Sequence, residues 1–158
     1  IVKQNGWWGN KYGIQAGMKY FDVAGIDHLD MRLEYNLVRP YTYTHTDSSS
    51  NYTHHLQPLA HPMGANFSEF LINFRYVPIK NLIVQPHLMY AIIPLAQGDK
   101  AKILLGGIDV SYMLYHNLFA DLTLAYRKKD SVLDEYDTKE TMFSVGLRMN
   151  IAQKKYVF

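Results

Sequence analysis

Apolar and polar residues alternate along most of this chain, one position at a time. In residues 28–38, leucine, methionine and tyrosine occupy every second position, and the positions between them hold Asp30, Arg32, Glu34 and Asn36. Successive side chains of a β-strand point to opposite faces, so this pattern predicts a strand with one apolar and one charged face. A helix would spread the same charges around its circumference, and we therefore reject a helical interpretation.

The period of two returns along the rest of the chain, which predicts an all-β fold of about seven strands. Strands of roughly 10 to 14 residues are longer than those of soluble sheets and match strands that cross a membrane at a tilt. Pro86 interrupts one of them and predicts a β-bulge there. Besides residues 28–38, the predicted strands cover residues 11–23, 69–76, 81–93, 102–115, 118–127 and 143–151.

The connections between these strands alternate between short and long. Short turns are predicted at residues 24–27, 78–80 and 116–117, and longer polar connections at residues 40–65, 94–101 and 128–138. Outer-membrane barrels have short turns in the periplasm and longer loops outside. The alternation therefore predicts an antiparallel transmembrane β-barrel in the bacterial outer membrane. Its C-terminus would lie in the periplasm, and residues 40–65 would form a long extracellular loop.

Two kinds of barrel have strands with one apolar and one polar face. A soluble, calycin-type barrel turns the apolar face inward around a ligand, whereas a membrane barrel turns it outward to lipid. The length of the strands and the aromatic residues near strand ends favour the membrane barrel. The last residues, Tyr156 and Phe158, favour it too, because an aromatic final residue resembles the signal that bacterial barrel-assembly machinery recognises.

A membrane barrel places its polar face around the lumen. The predicted lumen-facing residues form either a pore lining that selects polar solutes or a set of ion pairs that brace the barrel. Their mixed charges favour the brace, because neighbouring strands can pair them. These residues are Asp30, Arg32, Glu34, Asn36, Glu69, Asn73, Arg75, Asp121, Arg127 and Arg148.

The predicted strand number bears on the extent of the barrel. Closed bacterial barrels usually have an even number of strands, whereas about seven strands are predicted in this sequence. An open sheet would expose unpaired backbone groups to lipid, which is too costly for it to stand alone. We therefore expect residues 1–158 to be the C-terminal part of a larger barrel.

Composition and motifs exclude several other classes of protein. A formal net charge of +2 is too small for a nucleic-acid-binding surface, and the chain has no cysteine for a disulfide or a thiolate metal site. It has neither the glycine-flanked serine of a nucleophile elbow nor a phosphate-binding glycine loop. Asp134, Glu135 and Asp137 lie in a polar connection without an apolar pocket. We expect no enzymatic activity, no cofactor and no resident metal.

The predicted extracellular loop at residues 40–65 is rich in tyrosine, histidine, serine and threonine. The simplest interpretation is a polar surface loop. A glycan-binding surface ranks ahead of a metal site, because aromatic rings beside hydroxyls and amides suit sugars while the histidines lack the spacing of a metal site. The candidate glycan-binding residues are Tyr41, Tyr43, His45, His54, His55 and His61.

Three strings carry a resemblance to a known family. They are Trp7-Trp-Gly-Asn-Lys-Tyr12, Asn36-Leu-Val-Arg-Pro-Tyr-Thr-Tyr-Thr-His45 and Asn51-Tyr-Thr-His-His-Leu-Gln-Pro-Leu-Ala-His-Pro-Met-Gly-Ala-Asn66. Together they resemble the C-terminal region of the gliding-motility RemB outer-membrane proteins of Bacteroidetes, which are similar to the wider Wzi-like capsule-assembly family. The resemblance spans most of the chain.

The resemblance implies a large, non-enzymatic outer-membrane barrel that binds or organises surface polysaccharide or supports adhesion and gliding. The expected partners are outer-membrane lipid, surface polysaccharide, other outer-membrane proteins and the barrel-assembly machinery. Nucleic acid is not expected as a partner. Two alternatives are a porin-like channel and a structural subunit of a larger outer-membrane complex.

Overall fold

The computed structural model describes residues 7–47, 51, 53–54, 57–95, 99–131 and 137–150, without the side chains of residues 53, 54, 57 and 58. Within these ranges, no helix is long and apolar enough to cross a membrane. A single 3₁₀ turn, Val23–Gly25, lies between the first two strands. The strands are β1 Gly13–Tyr20, β2 Leu29–Val38, β3 Thr53–His54, β4 Gln57–Pro58, β5 Phe67–Ile79, β6 Leu82–Pro94, β7 Lys100–Tyr115, β8 Leu118–Asp130 and β9 Thr138–Met149.

The long strands form one seven-stranded sheet in the order β1-β2-β5-β6-β7-β8-β9, and β3 and β4 form a separate two-stranded sheet. Every neighbouring pair of strands in the large sheet is antiparallel. The prediction of an all-β fold with about seven antiparallel strands is therefore confirmed. Strands β1 and β9 are the two edges, so closure into a barrel stays a prediction.

The boundaries of several elements differ from the predictions. Strand β5 continues through Pro78 to Ile79, which moves the following turn to residues 80–81. The predicted loop at residues 40–65 contains the short β3–β4 hairpin. A two-residue strand is too short to show a period in the sequence, and this hairpin was therefore missed.

The β-bulge predicted at Pro86 was wrong. Pro86 lies opposite Ile108 in an uninterrupted β6–β7 register. The irregularity in the β5–β6 pairing falls instead between Tyr76 and Ile79. Proline removes one N–H donor from the ladder but does not require an extra residue in the strand, so the register continues past it.

The register gives the large sheet two faces of different chemistry, because residues opposite each other on paired strands share a face. We call them the apolar face and the polar face. One row of the apolar face runs through Met18, Leu33, Ile72, Leu88, Gly106, Tyr126 and Thr141. The neighbouring row of the polar face runs through Lys19, Arg32, Asn73, His87, Gly107, Ala125 and Met142.

The buried residues of the described part all lie on the polar face, near the end where β2 finishes and β5 begins. Large side chains on the apolar face are exposed instead, for example Phe70 at 44%, Phe143 at 66% and Leu147 at 75%. A soluble sheet packs its apolar face and leaves its polar face in water, so this sheet has the opposite arrangement. The buried residues are Val38, Phe67, Ala91, Ala101 and Ile103 with the polar Glu34, Asn36 and Glu69.

Candidate functional site

The residues that were predicted to face a lumen share the polar face. The register places Asn36 opposite Glu69 and Asp30 opposite Arg75 on the β2–β5 pair. It also places Arg127 opposite Glu140 on the β8–β9 pair. Their common face follows from the structure, whereas the lumen itself stays a prediction.

Two carboxylates of this face are bridged by a single amide. The Nδ2 of Asn36 donates to Glu34 Oε1 over 2.9 Å and to Glu69 Oε2 over 3.0 Å. The Nε2 of Gln15 also donates to Glu34 Oε1 over 2.7 Å, and the guanidinium of Arg32 donates to Glu34 Oε2. Because the two carboxylates and the amide are buried, these donors replace the water that the oxygens would otherwise bind.

His61 joins this cluster from the connection between β4 and β5. Its Nε2 lies 3.0 Å from Glu69 Oε2, and its ring packs on Phe67 with 4.4 Å between ring centroids. The backbone N–H of Met63 donates to His61 Nδ1 over 3.2 Å. Since Nδ1 is then an acceptor, Nε2 carries the proton and donates to Glu69. We call Gln15, Arg32, Glu34, Asn36, His61 and Glu69 the covered network.

Two of the candidate glycan-binding residues meet beside the covered network. Tyr43 and His61 line an open groove together with Gln15 and Asn36. The groove is therefore lined by the Tyr43 phenol and by an imidazole and two amides whose nitrogens already hydrogen-bond within the covered network. A phenol and amide oxygens hydrogen-bond readily to hydroxylated ligands.

Tyr41 and His45 are not among the residues that line this groove. Tyr41 is 54% exposed. His45 Nδ1 accepts from the backbone N–H of Asp47 over 3.3 Å, within the same turn. His54 belongs to β3, but its side chain is outside the described part, as are all of His55, Tyr156 and Phe158.

A second cluster on the polar face links β7, β8 and β9. The Nε of Arg148 donates to Asp121 Oδ2 over 2.8 Å, and Ser111 Oγ donates to Asp121 Oδ1 over 2.6 Å. The guanidinium carbon of Arg148 lies 4.5 Å from the centroid of the Phe119 ring. The Arg148 side chain is 47% exposed and that of Asp121 is 28% exposed. We call Ser111, Phe119, Asp121 and Arg148 the open network.

Between the two networks lies a concavity that we call the central pocket, lined by Lys19, Phe21, Asp30, Arg32, Asn73, Arg75, Gln85, His87 and Asp109. At its β7 side, Thr123 Oγ1 donates to Asp109 Oδ1 over 2.6 Å, and His87 Nδ1 lies 3.4 Å from Asp109 Oδ2. Lys19, His87 and Asp109 were not predicted from the sequence. Their segments alternate less regularly, and their common face follows only from the register of the paired strands.

The described side chains form no group of three or more histidine, aspartate or glutamate residues that could hold a metal ion. No protein-family model, curated protein or solved structure matches this chain. The resemblance to the RemB and Wzi-like proteins therefore stays a prediction.

Proposed function

We propose that this chain is part of a non-enzymatic outer-membrane β-barrel that binds or organises surface polysaccharide, or supports adhesion and gliding. One observation carries the membrane part of the proposal. The packed residues lie on the polar face, and the exposed face is a continuous apolar surface that crosses all seven strands. Soluble monomers rarely expose apolar patches above roughly 600 Å², and lipid is the solvent that suits such a face.

The distribution of residues on the apolar face supports the same orientation. One row runs through Ala16, Tyr35, Phe70, Tyr90 and Leu104 and continues into Lys128 and Lys139. Adjacent aromatic residues followed by lysines at one end of the strands are typical of the boundary between lipid and water. In the proposed barrel, this end faces the cell exterior and the short turns face the periplasm.

The groove beside the covered network supports the polysaccharide part. It lies at the same end of the strands, where β2 finishes, and is lined by Tyr43, His61, Gln15 and Asn36. A sugar chain outside the cell would reach this end first. The resemblance to the Wzi-like proteins favours the same ligand class, with lipid and other outer-membrane proteins as further partners.

Lipid exposure can be tested with two adjacent tryptophans. Every native tryptophan of the full-length protein, including Trp7 and Trp8, is first replaced by phenylalanine. Phe143→Trp then places one tryptophan on the apolar face, and Ser144→Trp places one on the polar face as the matched control. In vesicles containing brominated phospholipid, we expect strong quenching of the first and little of the second. Equal quenching of both would contradict the proposed orientation.

The polysaccharide role is tested in the native bacterium. Deletion of the gene is expected to reduce retention of surface polysaccharide, adhesion or gliding, and the wild-type gene is expected to restore it. Complementation with Tyr43→Ala should restore less than complementation with the exposed control Tyr41→Ala. Normal behaviour of the deletion strain in all three assays would contradict this role.

The central pocket and the polar face around it favour a porin-like channel as the second candidate function. The full-length protein would then conduct ions across a planar bilayer in discrete steps. A barrel that inserts without conductance would leave the polysaccharide role, or a structural role in a larger complex that co-purification can detect.

A further inference from the structure

A row of polar-face residues brings two cations directly opposite each other. Lys19 on β1 faces Arg32 on β2 in the register, and the row continues through Asn73 to His87. Like charges at directly opposite positions of an antiparallel pair destabilise a sheet. Arg32 is partly neutralised by Glu34, whereas the side chain of Lys19 makes no hydrogen bond or ion pair with any residue of the described part.

The neighbouring row supplies a third cation. Arg75 is 49% exposed, and its NH1 lies 4.0 Å from Asp30, the outer limit for an ion pair. Asp109 is engaged on both oxygens, since Thr123 donates to one and His87 faces the other. Lys19 and Arg75 are therefore the cations of the central pocket with the most unused hydrogen-bonding capacity.

Gly107 leaves room for the His87 imidazole in this pocket. A Cβ at position 107 would lie 2.7 Å from His87 Nε2 and 2.9 Å from the backbone oxygen of Leu124. Contacts this short are excluded for a real side chain, and the second one involves backbone that cannot move aside easily. Glycine at this position therefore lets the His87 ring approach β7 closely, with Nδ1 3.4 Å from Asp109 Oδ2.

We propose that the central pocket, which lies toward the short-turn end of the strands, binds a carboxylated sugar unit, such as a uronic acid at the end of an acidic polysaccharide chain that reaches into the proposed lumen. Lys19 and Arg75 bind the carboxylate, for which charge-assisted hydrogen bonds supply most of the affinity. Asn73, Gln85 and the Nε2 of His87 bind hydroxyl groups. Phe21, which is 64% exposed, offers its ring as an apolar platform for one face of the sugar.

This inference rests on the proposed function and specifies its ligand. The test measures binding of a glucuronate-containing tetrasaccharide to the purified full-length protein in detergent by isothermal titration calorimetry. The same tetrasaccharide with its carboxyl groups reduced to alcohols is the matched ligand. We expect binding of the acidic form that weakens with added salt, and binding of the reduced form weaker by about tenfold or more.

The variants Lys19→Gln and Arg75→Gln remove one cation each, and each is expected to weaken binding of the acidic form by about tenfold. Arg127→Gln is the matched control, because Arg127 is 46% exposed on the same face and lies 3.7 Å from the Glu140 carboxylate. Folding of every variant is checked by the heat-dependent gel migration of the barrel.

Several results would overturn the inference. They are equal binding of the acidic and reduced forms, no binding of either form by folded wild-type protein, or an effect of Arg127→Gln as large as that of Arg75→Gln. If the deletion strain nevertheless loses surface polysaccharide, such a result would contradict only the carboxylated sugar as the ligand and would leave the proposed function intact. A deletion strain with normal surface behaviour would instead remove the function itself.

Discussion

The covered network and the open network have similar chemistry but different surroundings. Each joins a carboxylate to a guanidinium and to a small polar donor on the polar face. The carboxylates of the covered network, Glu34 and Glu69, are buried, and the connection that carries His61 packs beside them. Water reaches the partners in the open network and can replace a lost hydrogen bond there. Exposure, more than the identity of the paired groups, therefore sets how much each network contributes to stability.

The largest expected effect comes from the amide that bridges the two buried carboxylates. Asn36→Leu has a similar volume but removes both donated hydrogen bonds and leaves Glu34 and Glu69 facing each other across an apolar side chain. We expect the free energy of unfolding to fall by about 3 kcal/mol. Urea unfolding of the full-length protein in phospholipid vesicles measures it. A loss below about 1 kcal/mol would mean that the covered network behaves like a surface cluster.

A smaller effect is expected from the residue that receives the hydrogen bond of His61. In the wild type, Asn36 and His61 both donate to Glu69 Oε2. Glu69→Gln keeps the shape of the side chain, and its amide oxygen can take the place of Oε2, but the two hydrogen bonds lose the strength that the negative charge gives them. The loss of stability should be about 1.5 kcal/mol.

Hydrogen exchange separates a local effect of Glu69→Gln from a general one. Amides of residues 61–66 should exchange faster in the variant, while those of β8 should keep their wild-type rates. Exchange that is unchanged in residues 61–66 would show that His61 does not hold this connection in place.

The smallest effect is expected in the open network. Arg148→Met removes the hydrogen bonds that Nε and NH2 of Arg148 donate to Asp121 and the contact with the Phe119 ring, but keeps an unbranched apolar stem. Because both charged groups are partly exposed, we expect the free energy of unfolding to fall by only about 0.5 kcal/mol. A loss as large as that of Asn36→Leu, measured in the same vesicles, would show that the open network contributes as much to stability as the covered network.

Much of the fold could be predicted because apolar and polar residues alternate along the long strands. The alternation in residues 28–38 predicted the faces of β2, and the pairings of Asn36 with Glu69 and of Arg127 with Glu140 place the predicted polar residues together. In such a sheet, a side chain's face depends only on its parity along the strand. Parity is a local property, which a sequence shows directly.

The parts that could not be predicted depend on contacts between distant segments. His61 belonged to a predicted surface loop, and nothing nearby in the chain indicates that it packs on Phe67 and donates to Glu69. The central pocket likewise depends on the register, because Lys19, Arg32 and His87 come from three different strands. A slip of one residue on any strand would have sent its side chain to the other face.

The direction of the two edge strands restricts what can complete this sheet. With seven strands that alternate in direction, β1 and β9 point the same way. A ring with antiparallel pairing throughout therefore needs an odd number of further strands between β9 and β1. Two copies of the sheet inserted in the same orientation would meet as parallel neighbours at both seams. For the proposed barrel, a segment or partner that contributes an odd number of strands therefore fits between β9 and β1, and one that contributes an even number does not.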